Sequence, residues 1–506
     1  MTSNYIFIFF SNLQKTSTFA SDSQETLMAE VKHQSRKKKF IKDFGIYAIG
    51  NLGSKLITFL MIPLYTYFVE KPSDYGYFDL CLQVCFLMFP VITLQLRDGA
   101  FRFLLDTQDS TERSRIVTFA YRTLGTTIIL TIAIAFCLSL FVHIDYLWST
   151  IALLVVMSVY EFLAQISRGL GNNKAFIAVG LIASFGICVF SLIFVAWFKM
   201  GVMGIFLANI LARVLSIVIV EYRMKTFSRF FKIKIDLKGI SRQMLNYSVP
   251  LIPVSLCWLL TTTSDRYFVS YFLGFGMTGI YAIAVRFGGL IHTLSNIFLQ
   301  TWQENAIQQY HSPDRDIFFS KVFNYYIYVL CFTLIAFTFT LKTCYSWIVG
   351  ANYQDSLEFV YLINLSTVLF AITVYFELPY QCAKDTKRAI PSIILTAALN
   401  ITLNFILTPI LHIYGVILTA IISYLTLIIY RWIDTRRYFT LHFQKKTLIP
   451  VALIFLSAIP FYLNDSHLID VLYIIVSISI LFTFTPIELK TYLIKKLKRS
   501  HHSATL

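Results

Sequence analysis

The sequence predicts an all-α polytopic membrane protein of about 14 transmembrane helices: two parallel-repeat six-helix bundles followed by two extra C-terminal helices. Three observations carry that prediction. The 506 residues are 57% hydrophobic and only 14% charged, with a mean hydropathy of +0.67, whereas a soluble chain is about 45–50% apolar and about 25% charged. Apolar stretches long enough to cross roughly 30 Å of hydrocarbon follow one another from Phe44 onward. The excess of 43 Lys and Arg over 27 Asp and Glu is distributed along the chain as an orientation signal.

Residues 1–43 read as a cytoplasmic tail. Its short apolar run, Tyr5 to Phe10, is too short to span, and Met28, just ahead of a basic segment, is the expected translation start. The expected spans are approximately 44–68, 76–96, 116–141, 147–167, 175–198 and 201–222 in a first bundle (44–222). A basic cytoplasmic linker (223–245) follows. The second bundle (246–433) comprises 246–273, 277–300, 320–341, 358–381, 389–410 and 413–433. Two further spans, 447–463 and 468–486, lie within 434–486, and 487–506 is a basic cytoplasmic tail. Runs this long exclude barrel strands, which are about 10 residues of alternating polarity, so each span is a helix satisfying its own backbone hydrogen bonds.

With the N-terminus inside, 36 of the 43 basic residues fall in inner segments, three (Lys71, Lys199, Lys342) fall in outer loops, and four lie within spans. An odd error in span number would scramble that alternation, so both termini are expected on the cytoplasmic side. The same distribution turns a formal charge of +16 away from a nucleic-acid surface. The eight cysteines sit mostly in apolar runs without metal-ligand spacing, and no disulfide or metal is assigned to them. Two parts of the chain look duplicated: Tyr67 to Leu82 lies over Ser270 to Val285 at an offset of 203, and Gly201-Val202 over Gly415-Val416 at 214. Parallel repeats place a substrate pathway at the interface between bundles.

At these residues the chain resembles the polysaccharide and O-antigen repeat-unit flippases of the multidrug/oligosaccharidyl-lipid/polysaccharide exporter superfamily. The resemblance rests on Asn51-Leu52-Gly53 through Pro63-Leu64-Tyr65 and Tyr75-Gly76, Ser264-Asp265-Arg266-Tyr267, Gly279 through Arg286, and Gln300-Thr301-Trp302. It continues through Leu399-Asn400, Asn404, Pro409 and Tyr414-Gly415-Val416. Family members often carry Pro soon after the Trp, where this chain has Gln303-Glu304-Asn305, and many have twelve spans. The resemblance implies a flippase of the bacterial inner membrane. It would move undecaprenyl-diphosphate-linked oligosaccharide from the cytoplasmic to the periplasmic leaflet by alternating access, for O-antigen, capsule or exopolysaccharide. Other polysaccharide-assembly membrane proteins are possible partners.

An ionisable group at mid-bilayer costs about 2.5 kcal/mol or more and usually faces a cavity or a partner. Eight such residues are the best functional candidates: Lys55, Asp79, Glu161, Arg213, Asp265, Arg266, Arg286 and Glu377, summing to zero charge. Tyr47, Asn51 and Lys55 recur every four residues as one polar stripe, and Arg286, Thr293 and Asn296 lie nearly on one face. The candidate headgroup-binding cations are Arg286, Lys55, Arg266 and Arg213, with Asn51 and Asn296 as polar lining, since a guanidinium fork suits diphosphate oxygens. Against this stand pairing of Lys55 with Asp79, snorkelling, and interhelical ion pairs for Arg286, Asp265 and Arg266. Glu377, Glu161, Asp265 and Asp79 are candidates for a coupling role with Na⁺ or H⁺; a carboxylate hydrogen-bonded near the inner headgroups is the plainer alternative for Glu161 and Glu377. Asn400 and Asn404, at i, i+4, read as interhelical glue.

No ATPase motif and no nucleophile–base pair is recognisable. The alternatives to a flippase are a multidrug or small-molecule exporter of the same superfamily, with an acidic or apolar cavity, and a glycan polymerase or ligase. The latter would need a sizeable outer catalytic loop, and the longest outer break, Lys342 to Leu357, is short.

Overall fold

The computed structural model describes residues 57, 59–232, 234–313, 315–464 and 466–484, which belong to one compact unit, Ser54–Leu506. The N-terminal tail, the Tyr47/Asn51/Lys55 stripe and the C-terminal tail lie outside the described residues.

Every regular element among the described residues is helical. In chain order these are α1 (Phe59–Phe68), α2 (Pro72–Ile92), α3 (Leu96–Asp106), α4 (Ser110–Phe141), α5 (Leu147–Gly169), α6 (Asn173–Ser191), α7 (Gly201–Met224), α8 (Thr226–Phe230) and α9 (Ile240–Ser248). They continue as α10 (Leu251–Gln309), α11 (Arg315–Ile348), α12 (Leu357–Tyr375), α13 (Leu378–Cys382), α14 (Ile390–Thr435), α15 (Leu448–Leu463) and α16 (His467–Phe484). Ten helical stretches are long and apolar enough to cross a membrane, and two shorter apolar ones cover Phe59–Phe68 and Leu468–Ser477. Two of the ten are double: α10 breaks at Gly274 (φ 83°, ψ 173°) and α14 at His412 (φ 55°, ψ −132°). Each break reverses the chain, so the ten stretches supply twelve crossings among the described residues, and the two shorter helices fall within the first and last expected spans.

Local chemistry explains the ends. Pro72 opens α2, where its missing N–H costs nothing. The Asp109 carboxylate accepts from the Glu112 N–H at 3.0 Å and caps α4, and Asn172 caps α6 by accepting from Ala175 N–H at 3.0 Å. Residues 97–115, expected as an inner segment, contain the helix α3, whose Leu96, Ala100 and Leu104 are fully buried. They pack in a cluster with Ile116 and Ala120 of α4, Phe162 and Ile166 of α5 and Met244 of α9. The basic linker is held there too. Arg115 of α4 donates to the carbonyls of Asp236 and Lys238 at 2.7 and 2.8 Å, and Thr118 accepts from the Lys232 N–H at 2.9 Å.

One hydrophobic core runs through helices of both repeats, from Met61, Phe78 and Phe206 to Ile283, Tyr353 and Val416. On the face opposite the basic loops, α2 crosses the second part of α10 at Gly76 and Gly279, positions related by the 203-residue offset. A Cβ on Gly76 would meet the Phe275 carbonyl, and one on Gly279 the Pro72 carbonyl. Small residues let two backbones touch where no water competes for their polar groups. Beside this crossing the α11–α12 connector docks on the α1–α2 turn. Gly350 N–H donates to Thr66 Oγ1 at 3.0 Å, Asn352 to the Glu70 carbonyl at 2.7 Å and the Tyr353 hydroxyl to the Val69 carbonyl at 3.0 Å. On the basic face Gln95 donates to Ser255, and Gly99 is covered by the Ser248 side chain.

The last two crossings pack on the second repeat. Asn324 of α11 donates to the His442 carbonyl at 2.9 Å and accepts from Gln444 N–H and the Thr447 hydroxyl at 2.9 and 2.6 Å. Tyr361 lies 2.8 Å from Ser457 of α15. Lys342, read as an outer-loop residue, is largely buried, 3.7 Å from Asp470 of α16. Arg431, near the end of α14, is 0% exposed: its guanidinium is packed inside the protein.

Candidate functional site

Tyr65 of α1 is buried, its hydroxyl 3.0 Å from Ser191 of α6, and its ring lies 5.8 Å from that of Tyr75 on α2. The Arg286 guanidinium, carried on the second part of α10, stands 5.4 Å from the Tyr65 ring centre and 5.0 Å from that of Tyr75. Arg213, one repeat away on α7, donates to both the backbone and side-chain oxygens of Asn209 at 2.9 Å and lies 6.0 Å from the Tyr160 ring. Neither arginine has a carboxylate within 4 Å among the described residues. Aromatic faces attract a guanidinium by about 0.5–2 kcal/mol but leave its net charge in place. Two arginines from opposite repeats are thus each held against tyrosine rings rather than against a carboxylate.

The other cationic candidate is compensated. Arg266 Nε sits 2.8 Å from Asp79 Oδ2, with side chains 11% and 6% exposed. The pair joins the first part of α10 to α2 and so ties the repeats together. Its neighbour Asp265, pointing elsewhere because adjacent helical residues diverge by about 100°, accepts from the Tyr281 hydroxyl at 3.0 Å and from Asn404 at 3.2 Å. Asn404 also donates to Asn400 Oδ1 at 3.1 Å, which accepts from Ser264 at 2.7 Å. On α14, Asn404 Oδ1 and the hydroxyls of Thr408, Thr419 and Ser423 are buried without hydrogen-bond partners. Asn400, Asn404 and Thr408 recur every four residues along the first part of α14, and Thr419 and Ser423 along the second, both helical faces being buried. A buried carboxylate and unpaired hydroxyl oxygens are the donor types that a small hard cation takes.

The remaining carboxylates lie toward the basic face. Glu161 of α5 pairs with Arg97 at 3.2 Å, and Arg97 also contacts Asp98 at 3.3 Å. Glu377, between α12 and α13, lies 3.9 Å from Arg431. Arg431 donates to the Thr373 carbonyl at 2.9 Å and to Ser392 at 3.2 Å, leaving one guanidinium nitrogen without a partner. Asn296 lies 3.3 Å from the His292 ring. Lys55 and Asn51 lie outside the described residues.

The structure thus places Arg286 at Tyr65 and Tyr75 and Arg213 at Asn209 and Tyr160, pairs Asp79 with Arg266, and holds Asp265 by hydrogen bonds from Tyr281 and Asn404. Sequence reading missed the Tyr65/Tyr75 clamp, whose signal was two tyrosines flanking the α1–α2 turn. Asn400 and Asn404, expected to join helices, do so: Asn400 accepts from Ser264 and Asn404 donates to Asp265, both on α10.

The chain is similar in fold to a lipid II flippase MurJ in an inward closed conformation, with a TM-score of 0.70 and 16% identity over 88% of this chain and 99% of that one. It is also similar to an inward-facing multidrug resistance MATE family transporter (0.61, 13%, 77% and 98%) and to an outward-facing one (0.55, 14%, 79% and 96%). No curated protein matches the chain significantly. The fold is that of the membrane transporters and flippases. The chain belongs to the family of polysaccharide biosynthesis proteins, within the multidrug/oligosaccharidyl-lipid/polysaccharide exporter superfamily: the family model matches residues 40–302, just over half of it.

Proposed function

We propose that this protein is a flippase for undecaprenyl-diphosphate-linked oligosaccharide, carrying it from the cytoplasmic to the periplasmic leaflet of a bacterial inner membrane for surface polysaccharide assembly. The observation that carries the reading is that Arg213 and Arg286, one from each repeat, stand against tyrosine rings with no carboxylate within 4 Å among the described residues. A guanidinium within the bilayer costs about 2.5–3.5 kcal/mol on insertion scales, and a diphosphate would compensate two of them bidentately. Lys55, earlier on the first span, adds a third candidate cation. The lipid tail remains in the bilayer while the repeats rock about their shared interface. A multidrug exporter has no comparable use for two unpaired cations.

Coupling fits the Asp265 cluster better than Glu161 or Glu377, whose carboxylates already meet Arg97 and Arg431. Asp265, Asn404 and the hydroxyls of Thr408, Thr419 and Ser423 are the residues that would hold Na⁺, with H⁺ on Asp265 as the other possible currency.

Complementation of a flippase-null strain tests the reading. Arg286→Ala and Arg213→Ala are expected to abolish surface glycan at normal protein level, and Arg286→Lys to retain a fraction. Full glycan from both Ala variants refutes the diphosphate site. In reconstituted vesicles, Asp265→Asn is expected to remove the response to an imposed Na⁺ or H⁺ gradient; an unchanged response would exclude this cluster from coupling.

A further inference from the structure

On the face opposite the basic loops, the start of α2, the α4–α5 turn, α7 and the α10 break enclose a cleft of about 760 Å³, a size typical of small-ligand sites. Its walls are aromatic. Tyr77 lies 5.7 Å from the Tyr146 ring and 5.1 Å from Phe275, and Trp148 is half exposed beside them. Its polar groups are the carboxylates of Asp74 and Asp145, the hydroxyls of Ser73 and Ser149, and His143. His143 Nε2 stands 3.5 Å from Asp145 Oδ1, and Asp74 has no cation within 4 Å among the described residues. No Lys or Arg lines the cleft.

We infer that this cleft binds the saccharide of the carried molecule on the far side of the membrane, the sugar being neutral or N-acetylated rather than acidic. The inference rests on the flippase reading for the identity of the cargo and on the basic loops for the side. Aromatic faces stack on the C–H faces of pyranoses, and carboxylates accept from their hydroxyls. Two carboxylates with no Lys or Arg oppose an anionic unit, so the chemistry is the reverse of that at Arg213 and Arg286, as a molecule with an anionic middle and a sugar end requires. An interfacial aromatic belt would turn its rings toward lipid headgroups; here Tyr77, Tyr146 and Phe275 turn toward one another. Tyr146, at the start of α5, also stacks its ring on Phe206 at 5.8 Å.

Phe275 comes from the second repeat and everything else from the first, so the cleft straddles their interface directly beside the Gly76–Gly279 crossing. It is complete only while that crossing is closed.

Saturation-transfer NMR on the full-length protein in nanodiscs tests the inference, with N,N′-diacetylchitobiose, maltose and cellobiouronic acid as probes. At least one of the first two is expected to bind saturably, about tenfold more weakly in Trp148→Ala and in Asp74→Asn/Asp145→Asn. Trp148→Phe should retain binding, showing that the ring rather than a loss of fold decides. The uronic disaccharide should give no signal. Arg286→Ala should bind as the parent does, because it alters the diphosphate site only; loss of glycan in that variant with binding retained separates the two proposals. No Trp148-dependent signal from either neutral probe, or an equal signal from the uronic one, overturns the assignment.

Discussion

Asp79 and Arg266 are 187 positions apart yet meet at 2.8 Å, and their energetics differ in kind from those of Arg286. A buried pair is costly to break because the survivor keeps an uncompensated charge, about 3–5 kcal/mol. Asp79→Ala should therefore lower the thermal unfolding midpoint of the detergent-solubilised protein strongly. The double change Asp79→Leu/Arg266→Met should recover most of it, and a double variant as unstable as the single would count against pairing as the cause. Arg286→Met removes a charge that has no carboxylate partner among the described residues, so its stability should change little or rise while transport falls. The same contrast bears on what was legible. Composition and charge singled out Asp79, Arg266 and Arg286 but not the buried Arg431, and nothing local distinguishes Arg266, one turn before Ser270, from Arg286, because both are arginines in apolar helices.

Among elements, α10 and α14 each hold two crossings. The break at Gly274, with φ at 83°, lies where glycine alone is unstrained, and Gly274→Ala should destabilise the α10 turn by about 1 kcal/mol or more. The break at His412 has no such residue and was visible in sequence only as a dip in apolar length. The connector 438–447 is held by the Asn324 amide. Asn324→Ala should therefore leave α15 and α16 more accessible to limited proteolysis without altering headgroup binding by Arg213 and Arg286. Protection equal to the parent would show the connector to be held by packing alone. Helix α3 escaped sequence reading because Arg97, Asp98, Arg102 and Asp106 make it look like a charged loop; its apolar face is only Leu96, Ala100 and Leu104, a stripe too short to stand out.

Across the whole molecule, both faces carry contacts between the repeats: Gly76–Gly279 and Thr66–Gly350 on one, Gln95–Ser255 and Gly99–Ser248 on the other. Alternating access requires each set to release in turn. Gly279→Leu should hold the far face open, since the added side chain cannot be accommodated against the Pro72 carbonyl. In a chain cleared of its own cysteines, Thr66→Cys should then label from outside faster than in the parent, and equal labelling would show that the glycine crossing does not set the closed state.

The sequence by itself determined the all-helical membrane fold and the family, because transfer of an apolar stretch into lipid is decided residue by residue along the chain. Only the tertiary structure decided which charges are neutralised. A helix presents each side chain at one azimuth, and the partner at that azimuth comes from a distant crossing: Asp79 for Arg266, Asn404 for Asp265, Thr373 and Ser392 for the buried Arg431. Arg213 and Arg286 become a candidate site by the same rule, since the helices packed against them bring tyrosines to their guanidinium groups where an ion pair would need carboxylates.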